Sequence, residues 1–146
     1  LHPADFIIAR IDEPPPARAS AETALHQQLY RDRPEVGAIL HGHSIGATQI
    51  SLARAAAGSL TLSGYELLKA FSGVQTHEAR VEVPVFANSQ DVAALAATVS
   101  ARLASQPQTV CYLIAGHGSY VWGASVPDAR RHFDALEFLI ELEARR

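Results

Sequence analysis

The sequence predicts an α/β fold in which helices cover both faces of a sheet. Three observations predict it: helical and strand-like patterns alternate along the chain, two short continuous apolar runs suit strands buried on both sides, and no repeat or low-complexity linker interrupts them. A chain of 146 residues holds one hydrophobic core and is short for two, so a single domain spanning residues 1–146 is expected. Hydrophobic residues make up 48% and charged residues 18%, near the globular average, which argues against disorder.

Taken in order, residues 5–11 carry Phe6, Ile7, Ile8 and Ile11 and predict a strand ended by Pro14, Pro15 and Pro16, which cannot donate to a ladder. Ser20 then reads as the N-cap of a helix over 21–32, with Ala21, Leu25 and Leu29 at helical spacing and Pro34 as the stop. Residues 36–40 form a buried strand that leads into His41, Gly42 and His43, and residues 45–56 are helical. Ser63, Gly64, Tyr65 and Glu66 have the spacing of a capping box and open a further helix. Residues 81–86 return to strand, with Pro84 pointing to an edge strand or to the end of a strand. Asn88 or Ser89 caps an Ala-rich helix to about Ala104. Residues 110–115 are a second buried run; with Tyr120, Val121 and Trp122 across the turn at Gly116, His117 and Gly118 they predict an antiparallel pair. Pro127 fits the first turn of a closing helix whose apolar stripe is Phe133, Leu136, Ile140 and Leu142.

Composition narrows the function. The net charge is −3 and the twelve Lys and Arg residues are scattered, so neither nucleic acid nor an anionic membrane is the expected partner, and a small diffusible substrate is. No apolar run approaches the eighteen or so residues of a membrane helix, and no signal peptide is apparent. The one cysteine, Cys111, sits in an apolar run, so no internal disulfide can form and a reducing cytoplasm is expected. The chain opens at Leu1, without methionine, and almost directly into a strand-like pattern, as though the N-terminal part of the domain were missing.

Chemistry concentrates in the histidines. Side chains two apart on a strand share a face, so His41 and His43 can present both imidazoles to one point, with Gly42 leaving room for a close approach. The alternative is that both merely cap the end of a buried strand. His117 strengthens the chelating reading, since it too follows a buried strand, between two glycines. Three histidines with one position left for water or substrate are a catalytic zinc arrangement, whereas structural zinc usually takes four ligands and favours cysteine. His2, His26, His77 and His132 lack a paired position and are assigned surface or capping roles, with His77 notable for its neighbour Glu78. By pattern alone Glu66 is better explained as the returning arm of the capping box, and Glu22 as an acid complementing the first turn of a helix.

The segments Ser20-Ala21-Glu22-Thr23, His41-Gly42-His43-Ser44, Gly64-Tyr65-Glu66-Leu67-Leu68-Lys69-Ala70, Thr76-His77-Glu78, Val83-Pro84-Val85-Phe86 and Gly116-His117-Gly118, with Tyr120-Val121-Trp122-Gly123, resemble the class II, zinc-dependent aldolase family over nearly all residues from Pro3 onward. The stretch from Gly64 to Asp91 and the Tyr-Val-Trp-Gly ending resemble a dehydratase branch of that family. The resemblance implies a three-layer α/β/α fold with a mixed, largely antiparallel central sheet. It implies zinc held by His41, His43 and His117, and a general acid/base role for Glu66, reversing the preference drawn from pattern. Glu22 matches the acid that aldolase members use beside the metal, which implies a substrate or auxiliary metal contact. The implied reaction is loss of water from a small phosphorylated keto-sugar, in a homotetramer with active sites near subunit boundaries. Two departures stand out: Gly42 occupies a position where the family more often has Thr, and the family's phosphate-binding loops lie upstream of Leu1. Competing readings are a sugar-phosphate aldolase, in which Glu22 would be the key acid, and a non-catalytic scaffold of the same fold, against which the three retained histidines argue.

Overall fold

A computed structural model describes residue 2 and residues 5–146. The chain forms two compact units, one from the segments up to Pro34 and from Ser89 to Ser105, the other from Glu35–Asn88 and Gln106–Arg146. Among the described residues no helix is long and apolar enough to cross a membrane.

The first unit is built on α1 (Thr23–Asp32) and α3 (Val92–Leu103). Leu25 and Leu29 of α1, and Leu95, Val99 and Leu103 of α3, are buried at helical spacing. Arg33, just past α1, is buried and donates to the Leu103 carbonyl at 3.2 Å. The strand expected over 5–11 is not formed: residues 6–10 have no regular structure, and Phe6 and Ile8 are exposed. The side chains of α1 take the carbonyls that a ladder would have used, Gln27 donating to Arg10 and Glu13, and Arg31 to Ile11. Ser20 is not the N-cap of α1. That position falls on Glu22, which makes no side-chain cap bond, while Ser20 Oγ accepts the Glu22 N–H at 3.3 Å. Likewise α3 is capped by neither Asn88 nor Ser89 but by Asp91, whose carboxylate accepts from the Ala94 N–H at 3.0 Å.

The second unit holds a five-stranded mixed sheet of β1 (Ala38–Gly42), β2 (Ser59–Leu62), β3 (Val81–Phe86), β4 (Cys111–Ile114) and β5 (Gly118–Gly123), in the order β1-β5-β4-β3-β2. Every pairing is antiparallel except β3 with β4. One face carries the core, with Leu60, Leu62, Val83, Val85, Cys111, Leu113 and Val121 packed on α2 (Ile45–Arg54) and α4 (Val126–Ala144). Tyr112 and Tyr120 alternate to the opposite face. The α/β class and the mixed, largely antiparallel sheet are as expected.

Three details differ from the sequence reading. The strand β2 was not expected, although Leu60-Thr61-Leu62 between Gly58 and Ser63 has period-two alternation. It makes β3 an interior strand. Pro84 is tolerated there because it pairs with Ser59 at the end of the β2 ladder, and pairing with β4 begins only at Val85. Residues Glu66–Ala70 form a 3₁₀ turn rather than a helix, and no capping box closes: Tyr65 holds the cap position without a side-chain bond. In α4, Leu139 is fully buried and Leu142 is 37% exposed, so the stripe runs through Leu139 rather than Leu142.

Candidate metal centre

Register builds the site. On β1, His41 pairs with Tyr120 of β5, which pairs with Tyr112 of β4, so three rings stand in a row on the face away from α2 and α4. His41 stacks on Tyr120 at 4.1 Å between centroids, and Tyr120 on Tyr112 at 4.9 Å. His43 follows with the same parity one residue past the strand, and His117 sits in the turn joining β4 to β5 at the same sheet end. The turn needs glycine: Gly116 has φ +66°, and a Cβ on Gly118 would lie 2.2 Å from the Gly42 carbonyl oxygen.

The three imidazoles meet. Their centroids are 4.5, 5.1 and 4.7 Å apart, and each offers a ring nitrogen within 4.8 Å of the others. The Nε2 atoms of His41 and His43 are 2.7 Å apart. His41 Nδ1 lies 2.9 Å from the Ser119 carbonyl oxygen, which can only accept, so the ring carries its proton on Nδ1 and turns the Nε2 lone pair to the centre. Ser119 is itself held, its fully buried hydroxyl donating to Glu137 of α4 at 2.9 Å. Ring nitrogens of three histidines at one point, with His43 exposed, make a donor set that fits zinc with an open side.

Glu66 lies elsewhere. It is not among the clustered groups, and β2, the strand before it, lies at the edge of the sheet opposite β1. The 3₁₀ turn that carries it packs on the α4 side, opposite the face of His41. Its exposed carboxylate contacts Lys69 and has His77 Nδ1 at 3.7 Å, and the Lys69 hydrogen bond holds its pKa below the usual carboxylate value. His77 thus faces Glu66 rather than its sequence neighbour Glu78. Glu22 belongs to the first unit, at the start of α1. His132 is neither a surface nor a capping residue, as it is 1% exposed on α4. The carbonyl of Trp122, 2.7 Å from its Nδ1, fixes the Nδ1–H tautomer, and its Nε2 accepts the Ser72 N–H at 3.2 Å. Burial lowers its pKa.

The sequence profile of the Class II Aldolase and Adducin N-terminal domain family matches residues 1–144. The chain belongs to this family. Among its relatives, a methylthioribulose-1-phosphate dehydratase of Sorangium cellulosum is 51% identical over 132 residues, which are 90% of this chain and 62% of the relative. One of Xanthomonas euvesicatoria pv. vesicatoria is 56% identical over 128 residues, 88% of this chain and 58% of the relative. The chain thus spans about 60% of the length of these curated relatives. The fold of this class II aldolase family member matches the crystal structure of L-fuculose-1-phosphate aldolase from Thermus thermophilus, with a TM-score of 0.69 and 24% identity over 99% of this chain and 69% of that one.

Proposed function

We propose that the chain is the zinc-binding portion of a dehydratase that removes water from 5-methylthioribulose 1-phosphate to give 2,3-diketo-5-methylthiopentyl 1-phosphate, a lyase step of methionine salvage in the cytoplasm. The observation that carries the proposal is the convergence of His41, His43 and His117 in a chain more than half identical to proteins bearing that name. When bound there, zinc would act as a Lewis acid on the substrate's oxygens. His41, His43 and His117 would hold it, the Ser119 carbonyl fixing the tautomer of His41.

Glu66 is assigned the proton transfers. Its carboxylate removes the proton from the carbon beside the carbonyl and returns it to the neighbouring hydroxyl as that group departs, so one water leaves and no oxidant or reductant is needed. The Lys69 hydrogen bond that lowers its pKa favours the ionised carboxylate, the form that takes up the proton. Because it is not among the groups that meet at the three histidines, and its 3₁₀ turn packs on the opposite face of the sheet, a second copy is assigned to supply it, in a homo-oligomer, here taken as a tetramer, whose active sites lie at subunit boundaries. Glu22, by its match to the family's metal-side acid, is assigned an auxiliary substrate or metal contact.

Assay of the purified protein with methylthioribulose 1-phosphate tests this reading. Water loss without release of an aldehyde supports a dehydratase, and carbon-carbon cleavage replaces it with an aldolase. His117→Ala should lose zinc and activity together, whereas Glu66→Gln should keep zinc and lose about 10²- to 10⁴-fold in turnover. Equal turnover of Glu66→Gln and wild type removes Glu66 from the reaction, and purification without stoichiometric metal favours the scaffold reading.

A further inference from the structure

We propose that Ser51 is a positioning residue for the metal centre, holding through the Gly116 amide the turn that presents His117. The proposal rests on the reading of the three histidines as metal ligands. Ser51 lies on α2 with no exposed surface. Serine inside a helix usually bonds back to its own helix or faces water. Here Oγ does two things: it donates to the Thr48 carbonyl at 3.0 Å and accepts the Gly116 N–H at 3.0 Å, sixty-five residues away.

Two neighbours on the same helical face grip the same turn. Thr48 Oγ1 lies 3.3 Å from the His117 carbonyl oxygen while bonding the Ser44 carbonyl at 2.9 Å, so its single proton is shared. The Leu52 side chain comes within 3.0 Å of where a Cβ on Gly116 would stand. At its other end α2 begins directly after His43, with Ser44 as a cap accepting the Ala47 N–H at 2.9 Å. One ten-residue helix therefore sets His43 by its start and His117 by its polar side. It thereby ties together two ligands that come from different segments, the end of β1 and the β4–β5 turn.

If Ser51 only satisfied itself, alanine would serve as well. Ser51→Ala leaves the Gly116 N–H without that acceptor and frees the turn. Competition with a chromogenic chelator should show zinc affinity about tenfold weaker than in wild type. Hydrogen exchange of the 116–118 amides in metal-free protein should be correspondingly faster. Thr48→Val should move both in the same direction by less. Val83→Ala, a truncation in the core strand β3, should lower thermal stability and leave zinc affinity unchanged. Wild-type zinc affinity in Ser51→Ala overturns the proposal, whatever the exchange rates. If the wild-type protein itself takes up no zinc, the metal reading falls instead, and unchanged exchange in Ser51→Ala then removes the hold on the turn as well.

Discussion

Gly42 separates two histidines and faces away from them, toward α4. A Cβ there would lie 2.6 Å from Phe133 Cζ, so the aromatic ring occupies the space that the Thr more common in the family would fill. Gly42→Thr should therefore cost about 1–3 kcal/mol of stability through overpacking, and Phe133→Leu in the same chain should recover most of it, as read by urea unfolding of metal-free protein. Cys111 allows a second prediction. Burial pushes its thiol up to about 12, so alkylating reagents at neutral pH should modify it only as the protein unfolds, and fast labelling of the native protein would contradict the burial. At this scale the histidines were legible because a spacing of two fixes a common face on any strand. The environment of Glu66 was not. Its capping-box spacing describes a helix start, and the contacts with Lys69 and His77 that replace the cap depend on how residues 63–80 fold back.

The buried histidine of α4 joins three elements, the end of β5 through the Trp122 carbonyl, the segment after the 3₁₀ turn through Ser72, and α4 itself. Arg131 and Asp128 of α4 are the charged groups that influence it, with opposite signs. Its pKa is lowered in the fold, so below about pH 6.5 the unfolded chain binds the proton more readily than the native one. Stability from this group is present above that pH and is lost as the pH falls toward the folded pKa. Thermal melts of metal-free protein from pH 7.5 down to about 5 should fall less steeply for His132→Gln than for wild type, since Gln can donate to Trp122 and accept from Ser72 without titrating. Equal slopes would show that other groups dominate. Among the elements, helices α2 and α4 and strands β3, β4 and β5 were legible because their periodicity is strong and their caps or turns are local. The expected strand over 5–11 failed because an apolar run is a strand only where a neighbour pairs with it, and α1 takes its carbonyls instead. The interior place of β3 was hidden because β2 has only four residues.

At the scale of the whole molecule, the two faces of the sheet separate the groups that the proposed reaction needs together. If a neighbouring copy supplies Glu66, mixing the inactive variants His117→Ala and Glu66→Gln under conditions that exchange subunits should restore activity, up to about a quarter of wild type for a random one-to-one mixture. No recovery, with exchange verified, would rule out the shared site. The sequence by itself determined the α/β class through short-range alternation, the family through the resemblance of its motifs, and the three candidate imidazoles through residue type and their places after apolar runs. Only the tertiary structure decided that His41 bonds the Ser119 carbonyl, that Ser51 reaches the Gly116 amide and that the turn carrying Glu66 packs on the face of the sheet opposite His41. Each of those follows from strand register or from the packing of helix and turn on the sheet, two of them across 65 and 78 residues of chain, and leaves no local mark in the sequence.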